Sequence, residues 1–184
     1  MQTKTVRANI FELFKRLGDE QGVCLLAGTR PGLLGFNPAE TFTAAGAEIK
    51  DLRAFVKRSA RLGRPVAGSI SYDAAYALHN LRQKARNDLR LTDICLHAYD
   101  NFLTFSTERS ICLHFKDPTY PELIRHIINR SQSSPRTYRS TNFHPVITEA
   151  QYTRAYNAIR DYLYNGDLYQ INFSHRLEAE TDMP

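Results

Sequence analysis

Cysteine is scarce in this sequence: three residues among 184, at Cys24, Cys95 and Cys112. They are too few and too scattered for a disulfide scaffold. Each lies in an apolar context, so they read as buried thiols in a reducing cytoplasm. No apolar run reaches the ~18 residues of a membrane span. The start, "MQTKTVRANIFELFKRLGDE", places charges within its apolar run and has no small-residue cleavage site. It does not read as a signal peptide. The expectation is a cytoplasmic chain with no membrane partner.

General catalytic patterns are missing as well. There is no Walker loop, no GxGxxG after a strand, no HExxH and no CxxC. The glycines of "GTRPGLLG" have the spacing of turns, not of a phosphate loop. The six histidines are dispersed. His97 and His114 fall on strand-like stretches but not opposite each other, so no metal site is expected in the chain.

What is present is ordinary for a globular protein: 42% hydrophobic and 23% charged residues. The length allows one domain, or one domain and a piece of another. A net charge of +5 would suit an anionic partner. However, the cations are spread along the chain. The densest cluster, "LRQKARNDLR", includes Asp88 and has no interleaved aromatics. A nucleic-acid partner is therefore not expected.

The pattern predicts a series of short elements. "NIFELFKRLG" is an amphipathic helix capped by Asn9, with Ile10, Phe11, Leu13, Phe14 and Leu17 on one side and Gly18 at its end. "GVCLLAG", Leu33-Leu34 and Thr41-Phe42-Thr43 read as short strands. "DLRAFVKRSARLG" is a helix capped by Asp51 and closed by Gly63. "PVAGSISY" is a strand whose Ala67, Gly68 and Ser69 let another backbone approach. "DAAYALHNL" is a short helix. "NFLTFSTERSICLHF" is a hairpin, with Phe105 opposite Ile111 and Leu103 opposite Leu113. "PTYPELIRHIINR" is a helix with Pro121 in its first turn and Leu123, Ile124, Ile127 and Ile128 buried.

Residues 131–147, "SQSSPRTYRSTNFHPVI", are polar for most of their length and show no period, so they read as a linker. Thr148 and Gln151 then form a capping box. Tyr152, Ala155, Tyr156, Ile159 and Leu163 make a helical stripe, and Gly166 sits at a C-cap. The stretch that follows alternates. Tyr169, Ile171, Phe173, Leu177 and Ala179 fall on one face of a predicted strand; Gln170, Asn172, Ser174, Arg176 and Glu178 fall on the other. No internal repeat is present. Mixed order, short strands and a hairpin predict an α+β fold, with mostly antiparallel sheets and flanking helices.

The polar face is either solvated or lines a cleft. Buried without partners, these groups would cost free energy. In sequence, "QYTRAYNAIRDYLYNGDLYQINFSHRL" resembles the entry into the chorismate-binding domain of the anthranilate synthase component I and aminodeoxychorismate synthase component I family. The matching residues are Gly166, Asp167, Leu168, Tyr169, Gln170, Ile171, Asn172, Ser174 and Arg176. "LLGFNPAETF", "VAGSISYDAAYAL" and "AYDNFLTFS" are similar to the family's earlier segments. Asn172 is closer to the aminodeoxychorismate synthase branch.

The resemblance implies an anthranilate synthase component I-like N-terminal domain over residues 1–130, a linker over 131–147, and the start of a chorismate-binding domain over 148–184. It implies amination of chorismate by a synthase of transaminase or lyase type, with Mg2+ and ammonia from a glutamine amidotransferase partner. The product would be 4-amino-4-deoxychorismate, towards para-aminobenzoate and folate, or anthranilate, towards tryptophan. Gln170, Asn172, Ser174 and Arg176 would organise the substrate cleft. Leu25, Leu26 and Arg30 match part of the family's effector-pocket rim. The family's Pro-Ile-Lys-Gly-Thr segment does not occur, so no catalytic residue and no metal ligand is assigned. The chain is expected to be a truncated portion that is inactive alone. A non-catalytic regulatory or docking module is the alternative of another class.

Overall fold

The computed structural model describes residues 1–18, 20–28, 30–45, 51–82, 91–130 and 137–182. The basic cluster at 83–90 and the first part of the expected linker, 131–136, lie outside them. The chain divides into two compact units, Met1–Gln132 and Ser133–Pro184. The fold is α+β, and every strand pairing among the described residues is antiparallel.

The first unit holds two sheets. The five-stranded sheet has the order β1-β8-β7-β3-β2. Its members are β1 (Gln2–Val6), β2 (Cys24–Leu26), β3 (Gly32–Gly35), β7 (Phe102–Thr107) and β8 (Ser110–Phe115). The hairpin register is the predicted one: Leu103 pairs with Leu113 and Phe105 with Ile111, with an irregularity before Thr107. Leu34 stands opposite Leu103 on the other side. This apolar face packs under α1 (Ile10–Arg16) and α4 (Tyr120–Asn129), which contribute Ile10, Leu13, Leu17, Ile124 and Ile127 to the core.

Asn9 caps α1 as expected, its side chain accepting from the Phe11 and Glu12 N–H groups. Phe11 and Phe14 are more than a third exposed, against expectation. A helix this short buries one narrow stripe, and Ile10, Leu13 and Leu17 occupy it. For the same reason Leu123 of α4 is 41% exposed while Ile124 is sealed. Asp51 precedes its helix without a side-chain cap bond.

The three-stranded sheet has the order β4-β6-β5, formed by β4 (Glu40–Ala44), β6 (Ile94–Ala98) and β5 (Val66–Ile70). One face carries Ala44, Ile94, Leu96 and Ala98 against Phe55 of α2 (Leu52–Arg61) and Ala74 of α3 (Ala74–Leu78). A third cluster, Ala67, Tyr99 and Phe102 with Cys24 and Leu33, joins the two sheets. Tyr99 is fully buried and donates from its hydroxyl to the Gly22 carbonyl at 2.7 Å.

Beside this junction, Asp100 accepts from Arg64 Nε at 3.0 Å and Nη2 at 2.7 Å, and also pairs with Lys116. The Arg64 hydrogen bonds hold its carboxyl at about 2, below the ordinary 3.8. An acid depressed in the folded state stabilises the fold above its unfolded pKa and loses that contribution as pH falls. Full linkage would give about 2.4 kcal/mol. The side chain is 25% exposed, which screens the pair to about 1–2 kcal/mol. We expect Asp100→Asn to lower stability by that amount at pH 7. The gap from the parent should close between about pH 4 and pH 2 in urea titrations. A gap unchanged across that range would contradict the pairing.

The second unit contains β9 (His144–Pro145), α5 (Glu149–Tyr164) and β10 (Leu177–Glu178). β9 and β10 pair, and an isolated bridge joins Ser140 to Thr181. Among the described residues no helix is long and apolar enough to cross a membrane.

Candidate functional site

The site is built on α5. Thr148 accepts from the Gln151 N–H at 3.2 Å, and the Gln151 side chain accepts from the Thr148 N–H at 2.8 Å. This capping box fixes the start of the helix. At the other end, Gly166 has φ +78°. Its N–H bonds to the Leu163 carbonyl and that of Asp167 to Tyr162, the paired bonds of a Schellman stop. The chain is thereby turned sharply out of the helix just before the motif.

The alternation from Tyr169 to Ala179 predicts a long strand, and the structure corrects this. Only Leu177 and Glu178 pair, with Pro145 and His144. A strand requires a partner for its N–H and C=O groups. β9 offers two residues, one of them a proline without an N–H. No described strand lies beside 168–176. Part of the expected linker instead becomes the partner of the chain's last residues. Thr141 N–H donates to the Glu180 carbonyl at 2.9 Å, and Val146 N–H to the Arg176 carbonyl at 3.0 Å.

Gln170, Asn172 and Ser174 are exposed. Arg176 lies 3.7 Å from Glu178 across a half-exposed pair. On the intervening residues, Phe173 and His175 set their rings against Tyr152 of α5, at 4.8 Å and 5.4 Å. These aromatic contacts anchor the segment to the helix, while the amides, hydroxyl and guanidinium sit at the alternate positions. Such groups donate to carboxylates and hydroxyls. They neither store nor transfer a proton near neutral pH. The arrangement suits recognition of an anionic polar ligand, not acid–base chemistry. The apolar stripe of α5 is covered only in part: Tyr152, Ala155 and Ile159 are half-buried, whereas Tyr156 is 51% and Leu163 39% exposed.

The remaining sequence assignments fall in the first unit. Leu25 stands opposite Leu34 and packs on the main core. Leu26 and Arg30 are exposed. Ser71 and Asp100, in the segments similar to the family's earlier ones, have structural partners. The Ser71 hydroxyl receives the Ala74 N–H at 3.3 Å, and Asp100 holds Arg64. Among the described residues no three His, Cys, Asp or Glu groups gather to hold a metal.

One cluster escaped the sequence reading. Thr41, Cys95 and His97 meet on a single face of the three-stranded sheet, with Thr41 Oγ1 3.0 Å and Cys95 Sγ 3.7 Å from the imidazole. The Cys-x-His spacing on a strand was the available signal, since it places both side chains on one face.

A comparison with protein-family models matches residues 17–184 to chorismate binding enzyme, a span that runs through both units. No curated protein matches the chain. The chain belongs to the chorismate-binding enzyme family.

Proposed function

We propose that this chain serves a chorismate-aminating synthase of the aminodeoxychorismate type. The observation that carries this reading is the segment Gly166–Arg176 behind a capped and stopped helix. Its Gln170, Asn172, Ser174 and Arg176 supply amide, hydroxyl and guanidinium donors for a substrate with two carboxylates. Asn172 makes the segment more similar to the aminodeoxychorismate synthase branch than to anthranilate synthase, which is the second reading. Ammonia would come from a glutamine amidotransferase partner, and the setting would be cytoplasmic. Mg2+ belongs to the reading through the family resemblance only.

The test uses the gene with its whole reading frame. It is expressed in one host that requires para-aminobenzoate and in another that requires tryptophan because component I is missing. Rescue of the first host alone is expected. Rescue of the second alone would replace the reading with anthranilate synthesis. Rescue of neither, with the protein present in soluble form, would favour a regulatory or docking module. The purified 184-residue chain, given chorismate, Mg2+ and ammonium, is expected to form no amine product. Measurable aminodeoxychorismate or anthranilate would overturn the expectation that this chain alone is inactive.

A further inference from the structure

The cluster missed in the sequence has the parts of an activated thiol. β6 is the central strand of its sheet, and Cys95 and His97 lie two residues apart on the same face. Across the two ladders, Thr41 and Ala67 stand opposite His97, while Thr43 and Ser69 stand opposite Cys95. Cys95 Sγ is 3.7 Å from His97 Nε2, and Thr41 Oγ1 is 3.0 Å from His97 Nδ1. A nucleophile, a base and a group orienting the base therefore stand in line. An Nδ1–H donating to Thr41 leaves the Nε2 lone pair facing the thiol. Burial lowers the pKa of His97. The Tyr99 ring is 6.2 Å from it, and the Tyr99 hydroxyl is committed to the Gly22 carbonyl.

The other two thiols lack the contact with an imidazole: Cys112 also has a histidine two residues on, with Thr104 Oγ1 2.8 Å from His114 Nε2, but its Sγ turns to the backbone instead. Burial pushes the Cys24 thiol up. Cys112 Sγ donates to the Leu113 carbonyl at 3.7 Å. All three thiols are half-buried, so access does not separate them; the imidazole contact does. The cross-strand neighbours of Cys95 are Thr43 and Ser69. A small reagent can enter there, between two short and exposed side chains.

We propose that Cys95 is a thiol modification site whose reagent is a small peroxide, with His97 as the base and Thr41 as the residue that positions it. Sγ attacks one peroxide oxygen, the S–O bond forms and the O–O bond breaks. The thiol proton passes through Nε2 to the departing oxygen, which leaves as water when the peroxide is hydrogen peroxide. The sulfur is oxidised to sulfenic acid and the peroxide is reduced. This site is separate from the chorismate motif and does not depend on its assignment.

The test is competitive labelling of the intact chain. Substoichiometric hydrogen peroxide is followed by dimedone trapping, and the three cysteine peptides are quantified by mass spectrometry in one sample. Cys95 should carry at least about tenfold more adduct than Cys24 or Cys112. The difference should vanish in urea, where all three thiols are equally exposed. His97→Gln should lower Cys95 labelling about tenfold at an unchanged melting temperature, with Cys24 and Cys112 as internal references. Thr41→Val should lower it less and offers a second route if the His97 variant fails to fold. Equal labelling of the three thiols in the native chain would overturn the proposal. So would a Cys95 rate indifferent to both substitutions in folded protein.

Discussion

Gly68→Ala is expected to cost about 3–4 kcal/mol, enough to unfold a marginal domain. A Cβ built at Gly68 lies 2.1 Å from the Cys95 carbonyl oxygen and 2.9 Å from the Leu96 Cα. Both obstacles are backbone of β6, the strand paired to β4 and β5 on its two sides, so neither can step aside without breaking a ladder. Overpacking of this kind costs about 1–3 kcal/mol. The backbone adds to it, because φ at Gly68 is +153°, where side chains are strained by about 1–3 kcal/mol. Gly63→Ala is the control. It also has positive φ, +65°, but nothing within 4 Å of the added atom, so only strain of about 1–2 kcal/mol remains. Urea unfolding followed by circular dichroism separates the two. Equal losses at Gly63 and Gly68 would show that β5 and β6 do not approach as described.

Gly68 also shows how much of the fold was legible. A small residue inside a strand signals a close backbone approach, and the sequence carries that signal without naming the neighbour. The hairpin of β7 and β8 was readable down to its register, because alternation and a short turn leave one way to put Leu103, Phe105, Ile111, Leu113 and Phe115 on the same face. Helix α5 was readable through its local caps. β1 was not. Its residues, QTKTV, are polar and mostly exposed, and they form a strand only because β8, more than a hundred residues later, pairs with them. The motif at Gln170–Arg176 fails in the opposite direction. Its alternation is clear, but alternation supplies no neighbouring strand, and among the described residues no strand pairs with 168–176. Residue types in the candidate site were thus readable, and their convergence was not. The Thr41–His97–Cys95 cluster obeys the same rule. Cys95 and His97 are local, whereas Thr41 joins them only through a ladder that spans 56 positions.

Leu103→Ala should destabilise the first unit by about 2–5 kcal/mol, the range for a buried leucine that leaves a cavity. Leu103 is fully buried and lies in the middle of a leucine row, opposite Leu34 on one side and Leu113 on the other. Both neighbours are themselves at 0% exposure and packed beneath α1 and α4. The backbone of β7 is held by ladders on two sides, so the sheet cannot collapse into the void. The loss should therefore fall in the upper part of the range. Thr104, the next residue, reports on the opposite face. Its hydroxyl meets His114 Nε2 at 2.8 Å, and Thr104→Val should cost only about 1 kcal/mol, the net value of one such bond. Tyr169→Ala completes the comparison. Tyr169 is 99% exposed, so its loss should change chain stability by less than about 0.5 kcal/mol. If Tyr169→Ala nonetheless abolishes rescue of the para-aminobenzoate-requiring host by the whole gene, the side chain is needed for function and not for the fold of this chain. A Leu103→Ala cost below about 1 kcal/mol would mean that the leucine row is not the centre of the core.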